Sequence, residues 1–150
     1  VKRLSGKIDL EEVNIETLPF EICLPAVGQG AIGVELREED SELQKVLEKI
    51  NHFESYTAVI AERAFLRRLG GGCQIPIGAL GKLENKTVFL EGLVADVDGN
   101  RIIRSNISGE PQKAESLGEE LAEVLINQGA KELDYGHTDQ LNRNFIQFKH

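Results

Sequence analysis

The 150-residue sequence contains no Met and no Trp, only 2 Tyr and 6 Phe, and just 2 Cys and 4 Pro. Two cysteines are too few for a disulfide scaffold, and neither Cys23 nor Cys73 stands in a CxxC or Cys/His spacing suited to zinc. No metal ligand set is expected. No apolar run approaches the roughly 20 residues that a membrane-spanning helix needs, and no basic segment leads into an apolar stretch with a cleavage site. A soluble, cytoplasmic protein without a membrane partner is therefore expected. Positive charge is also scarce. The net charge of -8, with basic residues scattered rather than striped, repels phosphate backbones and argues against a nucleic-acid partner. A chain that starts at Val1 and holds no methionine is expected to be a fragment of a longer translation product.

What the sequence does hold suits a folded domain. Hydrophobic residues make up 41% and charged residues 28%, and a chain of this length buries about two thirds of the surface it exposes when unfolded. Residues 1–24 read as the tail of a helix, an acidic loop and a short strand, completing something upstream. Pro25 introduces PAVGQGAIGVELREED, in which a glycine-rich crossing gives way to Ala31–Leu36, read as a buried strand. Asp40 and Ser41 are set to cap a helix carrying Leu43, Val46, Leu47 and Ile50 at helical spacing. Asn51 and His52 interrupt it.

A second helix, about Glu54 to Leu69, shows Tyr56, Val59, Ile60, Ala64 and Phe65 as its apolar face and stops at Gly70-Gly71-Gly72. From Ile75 the period changes to two. Three antiparallel strands follow, with turns expected at Asn85-Lys86 and at Asp98-Gly99, where both central residues tolerate positive φ. Ala114, Leu117, Leu121, Val124 and Leu125 then mark a helix that covers one sheet face and ends at Gly129. Gly118 inside that helix costs roughly 1 kcal/mol relative to Ala, explicable by a close approach to the strands. The fold class is α+β: a three-stranded antiparallel sheet covered by helices, preceded by strand and helix remnants of α/β domains.

Few constellations carry chemistry. Gly28-Gln29-Gly30-Ala31-Ile32-Gly33 spells GxGxxG, but no helix opens on these glycines, so a flexible crossing is the better reading than a dinucleotide site. Cys23, amid apolar neighbours in EICLP, reads as a buried small hydrophobe. Cys73 follows three glycines, so a bulky group has access to its backbone. On the residues alone it is either a reactive or modified thiol or a structural loop cysteine. The negative end of the preceding helix disfavours thiolate, while Arg67 and Arg68 are near enough to offset it. Arg63 and Arg67, four apart, suit either a shared carboxylate or a solvated surface, the latter preferred. His52, His137 and His150 read as surface residues.

Two stretches go further: LPAVGQGAIGVELR at 24–37 and AERAFLRRLGGGCQIPIGA at 61–79. Both resemble the porphobilinogen deaminase (hydroxymethylbilane synthase) family, and the likeness extends more loosely over about residues 18 to 134. It implies a transferase with two α/β domains about a cleft and a third domain bearing a cysteine loop. Residues 1–24 would end the second domain, 25–51 cross a hinge and return to the first, 52–137 form the third, and 138–150 make a tail without counterpart. The family condenses four porphobilinogen molecules on a dipyrromethane cofactor and frees hydroxymethylbilane. The resemblance implies that this cofactor is held by a thioether at the position of Cys73, with Gln29, Gly30 and Gly72 close to it. The covalent anchor keeps the growing chain in place between steps, and a thiolate suits attack on an electrophilic pyrrole methylene. The family's catalytic aspartate and most carboxylate-binding arginines belong to the absent N-terminal half, so no catalytic residue is assigned here and the fragment alone is expected to be inactive. Competing readings are a noncatalytic α+β ligand-binding or interaction module and a redox protein using Cys73 as a sensor thiol, which lacks a resolving cysteine.

Overall fold

Alternating apolar residues between two helical periodicities fold into two helices on one face of an antiparallel sheet. The computed structural model describes residues 14–70 and 76–133. In chain order these are α1 (Ser41–Glu48), α2 (Phe53–Arg68), β1 (Ile77–Glu84), β2 (Thr87–Ala95), β3 (Ile102–Gly109) and α3 (Ala114–Asn127), with short 3-10 turns at Pro111–Lys113 and Ala130–Glu132. The strand order is β1-β2-β3, antiparallel throughout.

Each of the first two helices starts where a side chain meets an orphan amide. The Asp40 carboxylate accepts the Leu43 N–H at 3.1 Å, and His52 Nδ1 accepts the Ser55 N–H at 3.3 Å. The α2 stripe Ala58, Ala61, Phe65 and Leu69 is buried. It meets Ala79, Val88, Leu90 and Val94 of the sheet and Leu117, Leu121 and Leu125 of α3 in one core. Phe65, Leu121 and Leu125 are fully buried, each contributing about 1.5–3 kcal/mol of transfer free energy. The helices cross closely at Gly118. A Cβ there would overlap the Ala61 carbonyl oxygen and stand 2.8 Å from both the Ala64 Cβ and the Phe65 nitrogen. The approach that this glycine permits is to α2, not to the strands.

The β1–β2 turn is the expected one. Asn85 and Lys86 both have positive φ, 50° and 63°, the geometry that matches strand twist in a two-residue hairpin. The β2–β3 connection differs from expectation: six residues separate the strands, and Gly99 alone takes positive φ there. Asp96 organises it, accepting the Arg101 N–H on its side chain at 3.2 Å and the Gly99 N–H on its carbonyl at 3.2 Å.

Other expectations need correction. Ala31–Leu36 forms no strand and is not buried; Ile32 is 93% exposed. An apolar run becomes a strand only beside another strand that takes up its backbone groups, and none of the described strands pairs with this one. The short strand before Leu24 is likewise replaced by turns. Cys23 is exposed rather than buried, since the turn at Pro19–Cys23 points it outward while Leu24 takes the buried place. Tyr56 is exposed, and Thr57 and Glu62 stand in the buried stripe instead. As expected, helices cover the sheet, and they are α2 and α3. Strand β1 begins at Ile77, and Ile75 lies outside the described residues, as do the N-terminal helix tail and residues 134–150. No described helix is long and apolar enough to cross a membrane.

Candidate functional site

The glycine-rich crossing and the middle of α2 converge on the free edge of β1. Residues 26–31 make two successive β-turns. The Gln29 N–H donates to the Ala26 carbonyl at 2.9 Å and the Ala31 N–H to the Gly28 carbonyl at 3.1 Å. Gly28 and Gly30 occupy the third position of each with φ of 70° and 84°, where a side chain would be strained. Gln29 and Gly30 are exposed between them.

Two missing side chains let the chain lie against β1. On its outer face, a Cβ at Gly78 would stand 3.1 Å from the Leu24 Cβ and 3.2 Å from the Pro25 oxygen. On its helix face, a Cβ at Gly81 would stand 2.8 Å from the Ala58 oxygen of α2. The Ala79 N–H donates outward to the Pro25 carbonyl at 3.1 Å. An exposed strand edge is thereby covered.

Glu62 completes the edge. The residue is 6% exposed, and its carboxylate accepts the Gly81 N–H on Oε1 and the Gly28 N–H on Oε2, each at 2.7 Å. One side chain on α2 thus ties the sheet to the turn that carries Gln29 and Gly30. Burial raises the carboxyl above its ordinary range, and the two amide donors oppose that shift without cancelling it. Sequence spacing gives Glu62 no role. The signal was present: Glu62 falls between Ala58 and Phe65 on the buried helical stripe, where a carboxylate needs a partner.

A second attachment lies across the outer face of the sheet. Arg104 of β3 donates through Nε to Glu91 Oε1 at 2.7 Å, through Nη1 to the Glu21 carbonyl at 2.7 Å and through Nη2 to the Phe20 carbonyl at 3.0 Å. The Glu91 partnership raises the guanidinium's already high pKa further. Lys82 Nζ stands 5.3 Å from the centroid of the Phe20 ring, within cation–π range.

The cysteine motif lies in sequence between α2 and β1. Cys73 and Gly72 lie outside the described residues, and the described residues on either side of them are anchored. On the helix side the Gly70 N–H donates to the Arg67 carbonyl at 3.0 Å, and Gly70 turns the chain with φ of 67°. On the strand side the Pro76 carbonyl accepts the Ala95 N–H at 2.9 Å. Arg67 and Arg68, considered as partners for the thiol, engage α3: Arg67 meets Glu115 at 2.5 Å and Arg68 pairs with Glu123. Among the described residues, no carboxylate is shared by Arg63 and Arg67. The structure brings Gln29, Gly30 and Glu62 together at one sheet edge.

These features define a helix-covered α+β domain whose sheet edge is strapped to an upstream crossing segment and whose second helix precedes a Gly-Gly-Gly-Cys sequence. Residues 56–127 match the family model for the porphobilinogen deaminase C-terminal domain, and residues 1–45 match that for the porphobilinogen deaminase dipyromethane cofactor binding domain. Among curated relatives, the porphobilinogen deaminase of Pelotomaculum thermopropionicum is 54% identical over 82% of this chain and 39% of its own length. That of Carboxydothermus hydrogenoformans is 45% identical over 89% of this chain and 42% of its own. The Moorella thermoacetica protein of the same name is 48% identical over 79% of this chain and 38% of its own. The chain belongs to the porphobilinogen deaminase family, and it spans about two fifths of the length of the curated relatives it matches.

Proposed function

We propose that this chain is the cofactor-carrying C-terminal part of a hydroxymethylbilane synthase, a transferase of tetrapyrrole biosynthesis acting on porphobilinogen in the cytoplasm. The observation that carries the reading is the match of both family models to a chain in which Glu62 straps the crossing turn to the edge of β1 and Cys73 stands in sequence between Gly70 and Pro76. Cys73 is the residue that holds dipyrromethane through a thioether, with Gly72 giving the loop room and Gln29 and Gly30 as nearby donors. The turn suits a bulky neighbour: a Cβ at Gly28 or Gly30 would meet nothing within 4 Å, so open space lies beside it. When bound, dipyrromethane supplies the nucleophilic pyrrole terminus on which porphobilinogen units are condensed with loss of ammonia.

The chain's own residues contribute attachment and placement. A covalent tether at Cys73 keeps the growing chain end at high effective concentration. The Gln29 amide and the Gly30 N–H are donors for carboxylate groups on the oligopyrrole. Residues 1–24 and 25–51 are assigned to the end of the second and the return to the first α/β domain, and 52–137 to the third. The exposed Ile32 and Val34, and the exposed apolar residues Leu43, Val46 and Ile50 around α1, fit this assignment because the N-terminal domains of a longer chain would cover them. Catalytic groups reside in those domains, so the fragment by itself is inactive.

Intact mass of the full-length enzyme tests the reading. A dipyrromethane-sized adduct that disappears, together with turnover, on Cys73→Ser is the expected result, since a hydroxyl lacks the nucleophilicity of a thiolate. A bare Cys73 in an active enzyme refutes it, and oxidation without adduct points to a redox thiol.

A further inference from the structure

The crossing segment is fastened at two places by side chains from two different elements, and neither side chain belongs to the apolar core cluster. Glu62 of α2 holds the Gly28 amide from below the sheet edge, and Arg104 of β3 holds the Phe20 and Glu21 carbonyls from the outer face. Between them Leu24 is buried against Gly78, and the Pro25 carbonyl pairs with Ala79 as a strand neighbour would. Each fastening is ionic on the side-chain side and backbone on the other. It therefore fixes the path of the segment while leaving the identity of its side chains free. A charge-assisted hydrogen bond holds about twice as strongly as a neutral one, and the two Glu62 bonds at 2.7 Å are short for amide donors.

We propose that Glu62 and Arg104 are positioning residues: they clamp residues 20–30 to the C-terminal sheet so that Gln29 and Gly30 keep a fixed place relative to that sheet. This rests on the deaminase reading for its purpose but not for its geometry. Loss of Glu62 frees the turn at Gly28 and uncovers the β1 edge at Gly81. Loss of Arg104 frees the Pro19–Cys23 turn, whose Ile22 and Cys23 amides both donate to the Pro19 carbonyl, and leaves the Glu62 end in place.

Amide hydrogen exchange on the 150-residue chain reads both ends separately. With Glu62→Gln, exchange at Gly28 and Gly81 is expected to accelerate by about 10-fold or more, the factor that follows from losing a hydrogen bond to a charged group, while the Leu121 and Leu125 amides of α3 stay unchanged. With Arg104→Gln, Ile22 and Cys23 accelerate and Gly28 does not. Arg104→Gln leaves the buried carboxylate intact, so it keeps the test decisive if the Glu62 variant unfolds. In the full-length deaminase, Arg104→Gln is expected to lower kcat about 10-fold with KM within about 2-fold, since misplacing an aligned group by about an ångström costs rate at this scale or more. Unprotected Gly28, Ile22 and Cys23 amides in the wild type overturn the clamp. A loosened segment with unchanged kcat overturns its positioning role. A clamp that fails in a chain whose Cys73 carries the adduct sinks this inference alone, and an intact clamp beside a bare Cys73 sinks the deaminase reading alone.

Discussion

Replacing Gly118 by alanine tests how tightly α2, which carries Glu62 and leads to the cysteine loop, is set against α3. On an exposed helix the change stabilises by about 1 kcal/mol, because alanine is the better helix former. Here the new Cβ would meet the Ala64 Cβ and the Phe65 nitrogen at 2.8 Å and overlap the Ala61 carbonyl oxygen, where carbon contacts prefer about 3.5–4.0 Å. Two of these three are backbone atoms and no rotamer change relieves them. Nor has α2 room to retreat into the sheet, because the Phe65 ring already fills the place of a side chain at Gly92, 2.5 Å from where its Cβ would lie. Overpacking of this kind costs about 1–3 kcal/mol and occasionally more. Taking the upper end and subtracting the propensity gain leaves a loss of about 2 kcal/mol. Urea unfolding of the chain followed by far-UV circular dichroism should show it as a lower midpoint by about 1 M, given slopes of about 1–3 kcal/mol per M. A Gly118→Ala variant as stable as the wild type, or more stable, refutes the packing argument.

Two further outcomes follow from local geometry. Lys86 sits at φ 63° in the β1–β2 turn, so Lys86→Gly should raise stability by up to about 1 kcal/mol as left-handed strain is relieved, less what the freer unfolded chain takes back; a lower unfolding midpoint would contradict this. Glu62 predicts a direction with pH. Burial lifts its carboxyl above the ordinary 4.5, so the folded chain binds this proton more tightly than the unfolded one, and its contribution to stability is fullest below 4.5 and is lost as pH rises through the raised value. Subtracting the stability of Glu62→Gln from that of the wild type, both from urea midpoints between about pH 4 and 7, should give a difference that falls with rising pH. A difference that grows would mean that the two amides outweigh burial.

Much of the C-terminal half was legible because its signals are local. Asn85-Lys86 between alternating strands, the Asp40 and His52 breaks ahead of helical spacing, and Gly129 after the last apolar residue of α3 each act within a few residues, through backbone sterics or an orphan amide. The site was legible by motif rather than by physics: GGGC and AVGQGA drew attention to Cys73, Gln29 and Gly30, whereas nothing in their spacing said that the crossing turn rests on the edge of β1. Arg104 in IIRSNIS is one polar residue among several on an outer strand face, and its two carbonyl partners stand 83 and 84 residues away. Glu62 lay in between. Its place on the apolar stripe marked it as needing partners, but not which ones.

By itself, then, the sequence determined the order of elements, the turn chemistry, the helix stripes and the presence of a glycine-flanked thiol, since each depends on neighbours in the chain. The tertiary structure alone decided which glycine faces which backbone, that Gly118 serves a helix crossing rather than a sheet, that Ala31–Leu36 goes unpaired among the described residues, and that a buried carboxylate joins Gly28 to Gly81. Those are meetings between residues far apart in sequence, governed by where two surfaces come into contact, and periodicity along one strand or helix carries no record of the partner across the gap.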